Sequence, residues 1–361
     1  MKRFSGLILL FLIFFNTTTF GQWKPDIKPD YRKLHYLSEE EMLSPVRTHI
    51  NFIETPPPTG PVRMVAEFEP MQGVLIRYPF GIPYSLIREM ASYIPVITIV
   101  SSTTQANQVL TLFQNNNVNT ANCTFLIAAS DSYWTRDYGP WFIFDGNNQP
   151  AVCDFPYNRP RPNDNNMPPK VAEHLGIGLY GMNVSHTGGN IMVDGLGIGA
   201  STELVYEENS QTVAQIAQKF NDYLGVSSYD VIDDPLGDYI KHIDCWGKYL
   251  APDKILIGQV PSTDPRYTDY EAVANYFATT PSSYGYPYKV YRVNTPGGSQ
   301  ITPYTNSLIL NNKVFVPTTG NALDNAAIAV YQQAMPGYEI IGIQSTNWVN
   351  TDALHCRTHE I

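Results

Sequence analysis

One pattern recurs along this sequence and constrains its fold more than any other feature: strand, tight turn, strand, helix, strand. The last two copies are the clearest. Gly247–Leu250, a turn at Pro252-Asp253, Lys254–Ile257, a helix over Tyr270–Phe277 and a strand over Tyr288–Val293 make one. Ser307–Leu310, the turn Asn311-Asn312, Lys313–Val316, a helix over Leu323–Ala334 and a strand over Glu339–Ile343 make the next. Upstream, Ile191–Val193, the turn Asp194-Gly195, a helix over Thr212–Tyr223 and Tyr229–Ile232 form a third. Trp141–Phe144, Asp145-Gly146, Ala151–Phe155, a helical stretch over Val171–Leu175 and a strand near Leu179 form a fourth. Gly73–Tyr78, a helix over Ile82–Tyr93 and the β-branched run Pro95–Val100 supply the remaining copy. Asx-Gly and Asn-Asn turns offer the positive φ that two-residue hairpin loops need. Apolar residues recur at three- and four-residue spacing, as in Val213, Ile216, Ala217 and Phe220. No unit alone can bury its sheet, so five copies are expected to pack around a common axis. The expected fold is α/β, a five-bladed α/β-propeller of pseudo-fivefold ββαβ units, in preference to a generic two-domain α/β protein.

The N-terminal stretch reads differently. Met1-Lys2-Arg3, then an apolar run from Phe4 to Phe15, has the form of a signal peptide cleaved after Gly21. That run is too short to span a bilayer, and no later stretch is long and apolar enough to do so. Residues 1–21 are read as signal peptide, 22–64 as an N-terminal arm and 65–361 as the propeller domain. Within the arm, Pro56-Pro57-Pro58-Thr59-Gly60-Pro61 is a stiff spacer. The expected location is periplasmic or secreted. A formal net charge of −10 gives no electrostatic reason to bind nucleic acid, whose affinity rests on cationic contacts. Cys123, Cys153, Cys245 and Cys356 lie far apart. In an exported protein they first suggest disulfides, and a Cys245–Cys356 or Cys153–Cys356 bridge would deny Cys356 a chemical role. Against that, His355 and Arg357 flank Cys356 and would stabilise its thiolate.

Candidate chemical groups fall at corresponding joints of the units. They are Trp134-Thr135-Arg136-Asp137, His186-Thr187-Gly188-Gly189-Asn190, His242-Ile243-Asp244, Thr305-Asn306-Ser307, and His355-Cys356 with His359. In a radial fold such joints converge on the axis, and loops there present chemistry. Each also has a plainer reading. Asp137 beside Arg136 is half of a surface ion pair, His242 a satisfied histidine, Asn306 a turn residue, and Trp134 a core side chain. Asn190, in its Gly-Gly-Asn turn, competes with Asn306 for one role. His242 and Asp244, two apart on a strand, would share one face. His242, His355, Cys356 and His359 are zinc-type ligands. Adjacent strand residues face opposite ways, however, and the usual spaced ligand pairs are absent, so no metal or other cofactor is expected.

From Ala66-Glu67-Phe68-Glu69-Pro70-Met71-Gln72-Gly73 to the last residue, these segments resemble the Porphyromonas-type peptidylarginine deiminases. That family belongs to the guanidine-modifying pentein superfamily and is related to agmatine deiminase. The resemblance implies a five-bladed pentein fold and hydrolysis of arginine to citrulline and ammonia. It implies Asp137 and Asp244 as carboxylates holding the guanidinium, His242 as general acid/base, Asn306 as a positioning residue and Cys356 as nucleophile. That set suits the chemistry. Two carboxylates can grip a planar cation, and a thiolate can attack its carbon. A histidine can give the departing nitrogen a proton, then take one from water.

Asn158-Arg159-Pro160-Arg161-Pro162 is the second informative stretch. Prolines favour extended neighbours, so Arg159 and Arg161 would lie on one face and could grip a carboxylate. The plainer reading is a solvated basic loop. In the family this segment resembles, the matching arginines bind the carboxylate of a C-terminal arginine, which agmatine lacks. By the same resemblance, Trp134 and Tyr239 wall the channel for the arginine stem. Expected partners are peptides or proteins with arginine, at the C-terminus. Agmatine or free arginine is the alternative within the enzyme class, and a non-catalytic peptide- or glycan-binding module the alternative outside it.

Overall fold

The computed structural model describes Leu37, Glu41 and residues 52–238 and 240–361. The expected signal peptide, most of the arm and Tyr239 lie outside the described residues. Among the described residues, the strands form five sheets of three or four strands each.

Three of the sheets repeat one order, an antiparallel hairpin followed by a parallel strand. They are built from Met192–Val193, Ile198–Thr202 and Ser228–Ile232; from Gly247–Ala251, Lys254–Gln259 and Lys289–Asn294; and from Leu308–Leu310, Lys313–Thr318 and Glu339–Gln344. The sheet of Trp141–Phe144, Pro150–Asp154 and Gly178–Gly181 has the same order. There the arm adds Arg63–Met64 antiparallel to the edge. A helix makes each parallel crossover: Met167–Leu175, Val213–Leu224, Tyr267–Thr279 and Asp324–Ala334. Antiparallel neighbours can be joined by a short loop, whereas parallel ones need such a crossover.

The first sheet departs from the expected unit. Val74–Arg77, Val96–Val100 and Cys123–Ile127 run parallel, joined by helices Tyr84–Ala91 and Thr103–Asn115. The second of these helices and the third strand were not in the sequence expectation. The antiparallel member comes from the far end of the chain, where His359–Glu360 pairs with Leu75 and Val74. Ile361 and Gly73 exchange backbone hydrogen bonds at 2.9 and 3.1 Å. The first sheet therefore holds strands from both ends of the repeat region.

Apolar side chains join the sheets in cyclic order. One cluster links Leu75 and Ile99 of the first sheet to Met167 and Val171 beside the second. Trp141 and Cys153 of the second pack with Ile216 and Phe220 beside the third. Ala200 and Ile232 of the third meet Ile255 and Phe277 of the fourth unit, and Tyr291 and Val293 there meet Ile309 and Tyr331 of the fifth. Leu308 and Phe315 of the fifth pack against Val74, Leu86 and Phe113 of the first. Burial on both faces explains why Val96–Val100 is apolar or β-branched throughout, with every residue buried.

Two local expectations need correction. Asp145–Gln149 and Asp194–Gly197 are longer loops rather than two-residue turns, because an aspartate closes each. Asp145 Oδ1 accepts the N–H of Asn147 and Gln149, and Asp194 Oδ1 accepts those of Leu196 and Ile198. The buried stripe of the helix Val213–Leu224 runs through Ile216, Phe220, Tyr223 and Leu224; Val213, at the first turn, is 57% exposed.

That helix starts on a reciprocal cap between Thr212 and Gln215 and ends at Gly225 with φ 70°. A Cβ on Gly225 would stand 1.8 Å from the Val62 carbonyl oxygen of the arm. Gly225→Ala is therefore expected to destabilise the protein by at least about 2 kcal/mol, combining left-handed strain with a backbone clash. Thermal melting against the parent checks this, and an unchanged midpoint would contradict it.

Candidate active site

Each joint ends where an antiparallel strand begins, at Trp141, Met192, Gly247, Leu308 and His359. The candidate side chains are thus delivered to equivalent ends of the five sheets. Cys356 is fully buried in a turn whose Arg357 N–H bonds the Leu354 carbonyl at 3.2 Å. Asn306 organises this turn. Its Oδ1 accepts the backbone N–H of Ala353, His355 and Cys356 at 3.0, 3.1 and 3.2 Å, while its Nδ2 donates to Cys356 Sγ at 3.1 Å. One amide therefore holds the loop and addresses the sulfur. Asn190 does something else: its Oδ1 takes the N–H of Thr202 and Ile243 at 3.0 and 3.3 Å.

His242 and Asp244 do not share a strand. They lie on a 3-10 turn, with His242 as the extended residue before Ile243–Cys245 and its carbonyl accepting the Cys245 N–H at 3.1 Å. The turn still delivers both to the sulfur's surroundings. Asp244 Oδ2 lies 3.6 Å from Cys356 Sγ, and His242 Nδ1 lies 3.7 Å from Asp137 Oδ1. Gly189 fills the space among them. A Cβ there would meet His242 Nδ1 at 2.6 Å, Asp137 Oδ1 at 2.8 Å and Asp244 Oδ2 at 3.3 Å. In the sequence the Gly-Gly pair reads only as a turn; the doubled glycine beside a histidine is the one signal that no side chain fits here.

The electrostatics overturn one expectation. Burial pushes the Cys356 thiol well above the usual range, and the carboxylates of Asp244, Asp137 and Asp352 push it further, against the hydrogen bond from Asn306. The flanking side chains do not hold a thiolate because both are committed elsewhere. Arg357 forms a fork with Asp352 at 2.8 and 2.7 Å, its guanidinium lying 5.1 Å from the rings of Tyr133 and of Trp348. His355 turns its ring to Asp244 and Glu67. Arg136 does not pair with Asp137 at the surface; it is buried and grips both oxygens of Glu360. All four cysteines are free thiols. His186 is a core residue beside Trp141 and Phe220, with burial lowering it to about 4. His359 Nδ1 faces the Glu360 carbonyl at 2.9 Å.

Trp134 packs with Tyr133 and Cys356, and the Arg161 guanidinium lies over its ring at 5.0 Å. The Arg159–Arg161 segment is not extended: the Arg161 N–H bonds the Arg159 carbonyl at 2.8 Å, a three-residue turn centred on Pro160. Nor is it a solvated loop, since Arg159 and Arg161 are each only 5% exposed. Both charges bear on buried Tyr157. Arg161 already holds a carboxylate, that of Glu41, with Nε–Oε1 at 2.9 Å and Nη2–Oε2 at 3.4 Å. Arg159 Nη1 donates to the Asn158 carbonyl at 3.2 Å.

A raised thiol pKa predicts slow alkylation of Cys356 by iodoacetamide in the free protein near neutral pH. The rate should climb only as pH passes the ordinary thiol range. Peptide mass spectrometry across pH checks this; a rate already at plateau near about pH 7 would contradict it.

A "Putative agmatine deiminase" of Yersinia pestis is 25% identical over 282 residues, spanning 67% of this chain and 77% of that one. A crystal structure described as "Putative Arginine Deiminase" from Porphyromonas gingivalis superposes with TM-score 0.71 at 20% identity, covering 83% of this chain and 98% of that one. The agmatine deiminase of Enterococcus faecalis superposes with TM-score 0.68 at 20% identity, covering 83% and 95%. These superpositions speak for a shared α/β fold. The profile of the Porphyromonas-type peptidyl-arginine deiminases matches residues 63–361, which include every joint described above, and the chain belongs to that family.

Proposed function

We propose that this protein hydrolyses the guanidinium group of arginine, at the C-terminus of a peptide or protein, to citrulline and ammonia through a bond to Cys356. The observation that carries this reading is the company of the thiol. Asp244 lies against one buried sulfur, the charge of Asp137 bears on that sulfur, and His242 stands 3.7 Å from Asp137, in surroundings that oppose negative charge on the thiol. Such a pocket suits a cation. A bound guanidinium would offset the carboxylates and thereby favour the thiolate that attacks it. We read the five sheets as blades about one axis, in keeping with their cyclic packing and with the meeting of joint residues at Cys356.

The chemistry balances with these groups. With the guanidinium held by Asp137 and Asp244, Cys356 gives up its proton to His242 and the thiolate adds to the guanidinium carbon. His242 gives its proton to one terminal nitrogen, which leaves as ammonia and leaves an S-alkylthiouronium. His242 then takes a proton from water as the oxygen adds to the same carbon. Collapse of that adduct yields the ureido group of citrulline; the expelled sulfur takes back the proton from His242, and the hydroxyl proton leaves with ammonia as ammonium. Asn306 acts by positioning the nucleophile turn. Residues 1–21 support an exported location, which fits a peptide substrate.

Arg161 supports a substrate with a free carboxylate, because it is buried, lies over Trp134 and holds a carboxylate in a fork. Arg159 is the second arm of the proposed clamp. Two observations favour agmatine instead: Glu41 occupies Arg161 from within the chain, and relatives carry the name agmatine deiminase.

Cys356→Ala is expected to abolish ammonia release from an arginine-terminated dipeptide while leaving thermal melting near that of the parent; residual turnover would refute covalent catalysis. Arg161→Gln should raise KM for that dipeptide about 10- to 100-fold, as expected for losing a charge-assisted contact, and leave agmatine kinetics alone. Glu41→Gln should lower the dipeptide KM by releasing Arg161. Faster turnover of agmatine than of the dipeptide by the parent protein would overturn the peptide reading.

A further inference from the structure

A row of buried charges continues behind the site. Asp244 Oδ2, 3.6 Å from Cys356 Sγ, is also 2.7 Å from His355 Nδ1. The other ring nitrogen, Nε2, is 3.1 Å from Glu67 Oε2. That oxygen in turn takes Lys248 Nζ at 2.6 Å, and Glu67 Oε1 accepts the N–H of Ile309 at 2.8 Å. His355 and Lys248 are 4% and 3% exposed. A cavity of about 60 Å³ lies alongside, lined in part by Glu67, Arg136, Lys248, His355 and Glu360.

The ring of His355 meets a carboxylate at each nitrogen, and an ionised carboxylate only accepts. A ring donating at both positions satisfies both contacts. Its two neighbours in the row are therefore one group that addresses substrate and one that does not. Cys356 and His355 are adjacent in sequence, and both reach the same oxygen of Asp244.

We propose that His355, braced by Glu67 and Lys248, is a positioning residue for the reaction: its Nδ1–H fixes the Asp244 carboxylate and keeps it charged for the guanidinium. This inference rests on the functional reading above. Burial alone would favour the neutral acid at Asp244, but the hydrogen bond and charge of His355, with His242 and Lys248, bring it down to about 2. Burial likewise opposes charge on Glu67, and Lys248 and His355 carry it well below the usual range. The groups that bear on Asp244 from the packed elements include His355, His242, Lys248, Arg136, Cys245 and Cys356, and the Asp137 carboxylate faces it across Gly189. Without the His355 donor, Asp244 would take up a proton at higher pH, and its hold on a cation would fail as pH falls through that raised value.

The test is steady-state deimination across pH for the full chain with an arginine-terminated dipeptide and with agmatine, in three variants whose melting is recorded alongside. His355→Ala should lower kcat/KM at least about 100-fold, mainly through KM, and shift the acidic limb of the profile upward. His355→Asn, whose amide can stand in for Nδ1–H, should recover at least ten-fold of that loss. Glu67→Gln, isosteric and distant from the sulfur, should raise KM several-fold and move the limb the same way. Equal loss in the Ala and Asn variants with an unmoved limb, or wild-type kinetics in Glu67→Gln, would overturn the proposal and leave His355 a packing residue. If His355→Ala fails to fold, the Asn and Gln variants decide by the same criteria. A parent protein inactive on both substrates would instead refute the functional reading itself.

Discussion

Asp244 carries its charge where water scarcely reaches, and much of the candidate site follows from how that charge is held. A buried carboxylate left alone takes up a proton. Here its Oδ2 meets His355 at 2.7 Å, and Lys248 stands behind through Glu67. The same carboxylate opposes ionisation of Cys356. The resting thiol and the charged acid are thus two consequences of one arrangement: the charge that His355 and Lys248 help to hold on Asp244 is a charge that opposes ionisation of Cys356. In the proposed reaction, a cation entering between Asp137 and Asp244 would reverse the balance at the sulfur, and the thiolate would form only once the substrate is bound.

Much of this was legible in the sequence, and what was missed has physical causes. The repeat could be read because hairpins and crossover helices leave local periodicities. Of the first sheet, two parallel strands and the helix between them could be read, but its antiparallel strand, His359–Glu360, could not, because it comes from the opposite end of the chain. Asp137, His242, Asp244, Asn306 and Cys356 were nameable by resemblance, and the structure brings them together. Their partners were not. His355 and Arg357 looked like thiolate stabilisers by adjacency, but side-chain direction sends one to Asp244 and Glu67 and the other to Asp352. Gly189 mattered through an atom it lacks, and Glu67 is a single acidic residue without local pattern. Prolines around Arg159 and Arg161 suggested extension; the carbonyl of Arg159 instead accepts the Arg161 N–H and bends the segment.

The arm ties the periphery to the site. Arg63–Met64 extends the second sheet, Thr55 exchanges hydrogen bonds with Gly181, and the Val62 carbonyl leaves no room for a side chain at Gly225. Further back in the arm, Glu41 reaches Arg161. The same segment thus braces a sheet edge and sets a carboxylate on the guanidinium proposed to read the substrate's own.

The account turns on a covalent bond between substrate and Cys356. Protein mixed with an arginine-terminated dipeptide, quenched in acid within a turnover and digested, should give the peptide bearing Cys356 with the added mass of the dipeptide less one ammonia. The peptides bearing Cys123, Cys153 and Cys245 should be unmodified. Citrulline formed under the same conditions with no adduct at any quench time in a slowed variant such as His242→Gln, or an adduct on Cys245 in place of Cys356, would contradict it.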